Sequence, residues 1–363
     1  MIIKKLELSN FRNYDSLEIN LDSQTNVLYG NNAQGKTNVL ESIYMCSTTK
    51  SHRSNKDIEL IKFNKKEGHI KLFIEKKNKE FRIDIHLRNN KTKGIAVNGI
   101  PIKKASELFG IFNVIFFSPE DLNIIKNGPA ERRKFIDLEL CQLDKIYVHN
   151  LINYNKILNQ RNALLKDINN DSELEDTLDI WDQQLAEYGS NIIKKREEFI
   201  KDIIKIIKPI HTEITNNKEN LKIEYSKNCE AKDLLKALKN ARSKDLKYKS
   251  TSVGPHRDDV LFFNKDENIR IYGSQGQKRT VALSLKLAEI ELVKNKIKDM
   301  PVLLLDDVLS ELDSDRQNHL LSSLKDIQTV ITCTGLDEFV ENSFHINKIY
   351  KVNEGTIEEK QLN

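Results

Sequence analysis

The sequence predicts an α/β fold assembled from both ends of the chain, with a mostly helical domain inserted between them. Three observations carry this reading. Residues 1–125 alternate apolar with polar at the period of strands, residues 126–251 carry apolar stripes at helical spacing, and strand patterns return over residues 252–363. The 363 residues are enough for two domains, or for one large domain with an insertion.

In the first segment, Leu6-Glu7-Leu8, Leu17-Glu18-Ile19-Asn20-Leu21 and Phe81-Arg82-Ile83-Asp84-Ile85-His86-Leu87 read as half-buried strands. Asn98-Gly99, set between Ile95-Ala96-Val97 and Ile100-Pro101-Ile102, predicts a hairpin turn. After Pro129, the residues Ile136, Leu140, Leu143, Tyr147, Leu151, Tyr154 and Leu158 step by three or four and share one helical face. A second stripe, Leu178, Trp181, Leu185, Tyr188 and Ile192, fails at Lys195 and Arg196 and resumes at Phe199 and Ile203, and Pro209 is expected to end the helix. Two long antiparallel helices follow from this, each up to about 50 Å at ~1.5 Å per residue. Past Val253-Gly254-Pro255, the run Val302-Leu303-Leu304-Leu305 has the unbroken apolar character of a strand covered on both faces.

Composition narrows the function classes. Hydrophobic residues make up 39% and charged residues 31%, which is polar for a globular chain but outside the range of disorder. The longest apolar runs, such as Pro301 to Leu305, fall far short of the ~18 residues of a membrane span. Lys4, Lys5 and Glu7 interrupt the N-terminal apolar residues, so no secretory signal and a cytoplasmic location are expected. Cys46, Cys141, Cys229 and Cys333 are scattered without metal spacing and read as buried free thiols. A net charge of +4 is too small to imply nucleic-acid binding by itself, so a DNA surface would need local segregation of charge.

The strand-like Asn26-Val27-Leu28-Tyr29 runs straight into Gly30-Asn31-Asn32-Ala33-Gln34-Gly35-Lys36-Thr37, and the helical pattern Val39, Leu40, Ile43, Tyr44 follows. This is a full G-x-x-x-x-G-K-[ST] in the strand-loop-helix context of a P-loop. The glycines let backbone N–H groups wrap a phosphate at a helix N-terminus, Lys36 adds charge toward the β- and γ-phosphates, and the Thr37 hydroxyl is placed to ligate Mg²⁺. Asp306, at the end of the apolar strand, offers the carboxylate that would hold Mg²⁺ through water, and Asp307 is positioned to polarise the attacking water. ATP and Mg²⁺ are therefore the expected cofactors. Lys36 and Asp306 lie 270 residues apart, far more than a few βα units.

Between these elements, Ser274-Gln275-Gly276-Gln277 precedes the helix of Val281, Leu283, Leu285, Leu287, Ile290 and Leu292. By itself this is a serine N-cap. Its position makes it similar to the signature of ATP-binding-cassette (ABC) ATPases, and Ser310-Glu311-Leu312-Asp313 resembles their D-loop. In that superfamily the signature of one subunit closes on ATP held by another, which implies a homodimer.

Further stretches sharpen the resemblance: Leu6-x-Leu8-x-Asn10-Phe11-Arg12-Asn13-Tyr14, Lys50-Ser51-His52-Arg53, Phe117 to Leu122, Gly128-Pro129 with Arg132-Arg133, and Gly254-Pro255-His256-Arg257-Asp258-Asp259. Together they resemble the RecF family of bacterial DNA replication and repair proteins over nearly the whole chain. The resemblance implies an ABC-type P-loop ATPase head related to those of structural-maintenance-of-chromosomes (SMC) proteins, carrying an inserted helical lid. It also implies ATP-dependent dimerisation, weak DNA-stimulated hydrolysis, binding of single-stranded and gapped DNA, and RecO and RecR as partners in loading recombinase. Asp307 stands where many ABC ATPases carry Glu. No glutamine loop is visible, and Thr332-Cys333-Thr334-Gly335 stands where transporters present a switch histidine.

The most basic stretch, Lys232, Lys236, Lys239, Arg242, Lys244, Lys247 and Lys249, is either a solvated helix face or a DNA surface. His256, Asp258 and Asp259 lack the further ligands of a metal site. Two other functions share the ATPase motifs. A chromosome-organising ATPase needs a longer arm than a 126-residue insert, and a transporter subunit needs a membrane partner.

Overall fold

The structure, a computed structural model, describes residues 1–167, 172–324, 326–336 and 345–361. The chain divides into two compact units: Met1–Asp121 with Leu283–Asn363, and Leu122–Ala282.

In chain order, the elements of the first unit's N-terminal part are β1 (Ile2–Phe11), β2 (Tyr14–Asn20), β3 (Thr25–Tyr29), α1 (Lys36–Thr48), β4 (Glu67–Lys76), β5 (Lys79–Arg88), β6 (Gly94–Val97), β7 (Ile100–Pro101) and β8 (Val114–Phe117). The second unit contains α2 (Leu122–Lys126), α3 (Pro129–Leu143), α4 (Lys145–Asp167), α5 (Leu178–Ile214), β9 (Leu221–Ser226), α6 (Leu234–Tyr248), β10 (Asp259–Asn264), β11 (Glu267–Asn268) and α7 (Ile269–Tyr272). The division falls within α8 (Gln275–Ile297), after which come β12 (Val302–Asp306), α9 (Ser314–Ser322), β13 (Thr329–Cys333), β14 (Lys348–Asn353) and β15 (Thr356–Lys360).

Among the described residues, the first unit holds two six-stranded sheets, ordered β2-β1-β4-β5-β6-β7 and β15-β14-β3-β13-β12-β8. The former is antiparallel, and its β6–β7 turn is the expected Asn98-Gly99 hairpin, with φ of 53° and 80°. In the latter, β14, β3, β13, β12 and β8 run parallel and only β15 is antiparallel. Helix α1 packs on β8, β12 and β13 and also on β4 and β5. A helix covered on both sides buries nearly its whole circumference, Glu41 included, and so carries no clear apolar stripe. Gln328 ties the sheets together, accepting from Ile3 N–H and donating to the Ile3 and Asp22 carbonyls.

The second unit departs from the sequence expectation in three places. The first long helix is broken at Asp144, whose extended backbone ends α3 and whose carboxylate accepts from the Ile146 and Tyr147 N–H groups to start α4. Pro209 does not end α5, which runs on to Ile214. An interior proline removes one N–H donor, and here the apolar face, with Ile203 and Ile207 buried, continues to hold the helix. Finally, the strands after Gly254 do not rejoin the first unit. β10 pairs antiparallel with β9, from Asp259↔Ser226 to Asn264↔Leu221, so residues 252–282 belong to the inserted unit.

Arg196, where the apolar stripe fails, is buried against Asp137 at 2.8 Å and the Pro255 carbonyl at 2.6 Å. Arg161 is fully buried and joins α4 to Asp182 of α5, Asp245 of α6 and Thr251. Cys46, Cys141 and Cys333 are buried as expected, whereas Cys229 is only half-buried. No helix among the described residues is long and apolar enough to cross a membrane.

Candidate nucleotide site

Strand β3 is buried from Thr25 to Leu28 and delivers the chain into the glycine loop ahead of α1. Two positions there require glycine. Gly30 has φ +151°, and a Cβ on it would stand 2.4 Å from the Val352 carbonyl oxygen. Gly35 has φ +116°, and its Cβ would meet Asn13 Nδ2 at 2.6 Å and the Tyr14 hydroxyl at 2.9 Å. The loop is pinned from two directions. Asn13 Nδ2 donates to the Gln34 carbonyl (2.8 Å) and Tyr14 OH to the Gly35 carbonyl (3.1 Å). From the β14–β15 turn, Glu354 N–H donates to Gln34 Oε1 (2.7 Å) and Gly355 N–H to the Gln34 carbonyl (3.2 Å). Asn31, Asn32 and Ala33 form the exposed crest. Lys36 is buried, with Nζ 2.7 Å from the Gly30 carbonyl and 3.1 Å from that of Asn31, so its charge lies inside the loop's curve.

The sheet order explains the long gap in sequence. β13 lies between β3 and β12 and pairs with both in parallel, so the C-terminal ends of all three strands meet. Thr37 Oγ1 donates to Asp306 Oδ1 at 2.9 Å across 269 residues. Thr332, at the end of β13, donates to the same oxygen at 2.8 Å and accepts from Asp307 N–H at 3.0 Å. Burial raises the Asp306 carboxyl above its ordinary range; hydrogen bonds from Thr332 and Thr37 oppose the shift, the Asp307 charge adds to it, and the Arg53 charge opposes it. A hydroxyl and a carboxylate side by side at a phosphate-binding loop are the hard oxygen donors Mg²⁺ takes, so Thr37 and Asp306 fit that ion. Asp307 adopts the left-handed region at φ +51°, a strained geometry for a non-glycine residue at the end of a buried strand.

A second layer surrounds α1. Arg12 donates from Nε and Nη2 to both oxygens of fully buried Glu41, at 2.8 and 2.7 Å, and from Nη1 to the Glu59 carbonyl. Burial pushes the Glu41 carboxyl up, but the Arg12 and Ser51 hydrogen bonds win and hold it below the usual range. Ser51 thus places the segment of exposed Arg53, whose Nη1 donates to Asn38 Oδ1 at 3.2 Å and whose charge reaches Asp306. Asn38 in turn donates to Asn13 at 2.8 Å. The sequence motifs that hold Asn13, Tyr14, Arg53 and Thr332 carry no individual role for these residues, and the C-terminal hairpin stands in no motif; their part as anchors of the loop and of Asp306 follows from contacts between distant segments.

Ser274 and Gln277 form a reciprocal cap at the start of α8: Ser274 N–H donates to Gln277 Oε1 (2.9 Å) and Gln277 N–H to Ser274 Oγ (3.2 Å). Ser274, Gln275 and Gly276 are exposed beside exposed Tyr272. Along the D-loop stretch, Ser310 Oγ donates to the Asp307 carbonyl (2.9 Å) and Asp313 caps α9 by accepting from Arg316 N–H. Glu311 is exposed and Leu312 half-buried.

The basic stretch is not uniform. Arg242 is bound to Asp179 and Asp182, and Lys239 lies 3.0 Å from Asp179, so these two hold α6 to α5. Lys232, Lys236, Lys244, Lys247 and Lys249 are exposed. His256, Asp258 and Asp259 are structural. His256 bonds the Tyr154 hydroxyl and the Thr251 carbonyl, Asp258 meets Arg196, Tyr225 and Asn228, and Asp259 pairs with Arg132.

The chain is similar to known proteins over nearly its whole length. Residues 2–358 match the family described as RecF/RecN/SMC N terminal domain. The chain is 61% identical over 359 residues to the DNA replication and repair protein RecF of Lachnospira eligens, covering 98% of this chain and 99% of the relative. It is 49% identical to RecF of Clostridium botulinum over 364 residues, 98% and 99% of the two chains. A solved structure of the recombination mediator protein RecF with ATP, described as part of the RecFOR pathway, superposes with TM-score 0.92 at 37% identity, covering 99% of this chain and 97% of that one. An Smc head domain from Pyrococcus furiosus, with TM-score 0.57 and 17% identity, shares the fold. The chain has the ATPase head fold of RecF and SMC proteins, and it belongs to the RecF/RecN/SMC N-terminal-domain family as a RecF-type member.

Proposed function

We propose that this chain is an ATP-dependent DNA-binding protein of replication and recombinational repair, in which ATP and Mg²⁺ join two copies and hydrolysis separates them. The observation that carries the reading is the Thr37–Asp306 hydrogen bond, which unites the P-loop with a carboxylate 269 residues away. Lys36 holds positive charge at the loop, Thr37 and Asp306 would hold the metal, and Asp307 would orient the attacking water. ATP bound there supplies the terminal phosphate that a second copy recognises. The exposed Ser274-Gln275-Gly276 cap, with Gln277 behind it, supports recognition in trans, because the first N–H groups of α8 present a helix N-terminus at the surface. The D-loop stretch Ser310 to Asp313 follows directly from Asp307 and would lie at the same junction.

DNA, single-stranded or gapped, is the proposed ligand, with Lys232, Lys236, Lys244, Lys247 and Lys249 as phosphate contacts. Hydrolysis is weak and stimulated by DNA, RecO and RecR are the proposed partners, and the protein acts at the nucleoid in the cytoplasm. Mixing two variants tests the shared site. Ser274→Arg should bind ATP but not dimerise, and Lys36→Ala should lose ATP affinity. The mixed pair forms one composite site with both defects and one with neither. Partial recovery of hydrolysis in the mixture is expected; no recovery from two folded, mixing variants overturns the reading.

A further inference from the structure

On the outer face of the antiparallel sheet, β4 and β5 place Glu67, His69 and His86 together, 30 residues or more from the nearest residue of the nucleotide loop motif in sequence and without a part in the site described above. His69 and His86 are direct cross-strand partners. Their rings stack at 4.1 Å between centroids and 21° between planes. Glu67 lies two residues before His69 on the same face of β4, and its Oε2 stands 2.8 Å from His86 Nε2. Available donor atoms of the three side chains all lie within 4.8 Å of one another.

The row of the sheet that carries the pair is otherwise small. Ser9 of β1 is the partner of His69, and Gly94 of β6 is the partner of His86. A Cβ on Gly94 would come within 3.7 Å of the His86 Cβ, so the glycine leaves the histidine side uncovered. A cleft of about 190 Å³ opens there, bounded by both histidines, Lys71, Asp84, Gly94 and Pro101. Nearby charges are committed to other partners. Lys71 lies 3.5 Å from Glu7, Asp84 accepts from Arg82 at 2.9 Å, and Arg88 donates to the Thr92 carbonyl.

We propose that Glu67, His69 and His86 form a binding site for a divalent transition-metal ion of the zinc class. Two imidazole nitrogens and one carboxylate oxygen are a donor set that Zn²⁺ accepts with a fourth position left open, whereas Mg²⁺ and Ca²⁺ select oxygen ligands. Tetrahedral bonds of about 2.0–2.1 Å set ligand atoms roughly 3.4 Å apart. Closing the set from its present spacing takes side-chain rotation at the exposed Glu67 and a splaying of the two rings toward the cleft.

The test is titration of the full, nucleotide-free chain with ZnCl₂ at pH 7.5, read by calorimetry, with Co²⁺ absorption as a second probe. One Zn²⁺ per chain is expected. His69→Ala and His86→Ala should each weaken binding at least about tenfold, as removal of one of three ligands requires. Both positions are partly exposed, so circular dichroism and the thermal midpoint of the metal-free variants should match the parent, while the Zn²⁺-induced rise in midpoint is lost. The Co²⁺ spectrum should lack a thiolate charge-transfer band, which separates this site from half-buried Cys229. Equal Zn²⁺ binding by the His69→Ala/His86→Ala double variant, or no binding by the parent at about 100 µM Zn²⁺, overturns the proposal; the nucleotide site plays no part in either result.

Discussion

Replacing Arg12 with Met removes the partner of a carboxylate that has no access to water. Glu41 is fully buried on α1, and Arg12 neutralises it through two hydrogen bonds while keeping about a fifth of its own surface exposed (21%). Stripping one partner from a buried pair costs about 3–5 kcal/mol. The partial exposure of Arg12, and the Ser51 hydroxyl that still donates to Glu41, set the expectation at the lower end, about 3 kcal/mol. The Arg12→Met/Glu41→Met double variant should regain most of that loss, because it buries no charge. Dependence on pH gives an independent check. In the parent, the depressed Glu41 pKa contributes stability that is present above the ordinary carboxylate value and is lost as pH falls through the folded one. In Arg12→Met the carboxyl rises instead, so the deficit is largest near pH 8 and shrinks as the solution is acidified. The only tryptophan, Trp181, lies in the other unit and does not report on this event. Hydrogen exchange at α1 amides during urea titration does. A loss below about 1 kcal/mol, the worth of an exposed pair, would refute the argument.

Three further outcomes are expected. Thr332→Val should cost about 1–3 kcal/mol in urea unfolding and slow ATP turnover, since it takes a donor from Asp306 and an acceptor from Asp307 N–H together; unchanged stability and turnover would assign Thr332 no role. Asp307→Asn should leave stability within about 0.5 kcal/mol of the parent, because Asn tolerates φ +51°, and should lower single-turnover hydrolysis roughly 100-fold or more; equal rates would show that another group orients the water. Burial lowers the His256 pKa to about 4, so its contribution to stability is complete above its ordinary value of 6.5 and is lost as pH falls toward 4. That loss is up to about 3 kcal/mol, and unfolding of the second unit followed by Trp181 fluorescence from pH 7 to 4.5 should show it shrinking in His256→Gln.

Features that depend on a few consecutive residues were legible without the fold. The glycine loop between a strand and a helix, the Asn98-Gly99 turn and the doubly covered strand ending at Asp306 each follow from local steric and apolar patterns. The same local logic misled where burial overrode it. Pro209 sits inside α5 because the apolar face on either side outweighs one lost hydrogen bond, and the interruption at Arg196 marks a buried ion pair with Asp137 where a solvent-facing charge would give the same pattern.

The sequence by itself determined the candidate loop and its carboxylate: Gly30 to Thr37 stand between a strand and a helix, and Asp306 ends an unbroken apolar strand, a local pattern that few other folds supply. Tertiary structure alone decided how those residues meet. Placing β13 between β3 and β12 brings Thr332 onto Asp306, and pairing β10 with β9 carries residues 252–282 into the inserted unit. It also turned Lys239 and Arg242 toward Asp179 and away from a free basic face. Strand order and the pairing of buried charges are properties of contacts between distant segments, with energies set by mutual burial, and no periodicity within one segment encodes them.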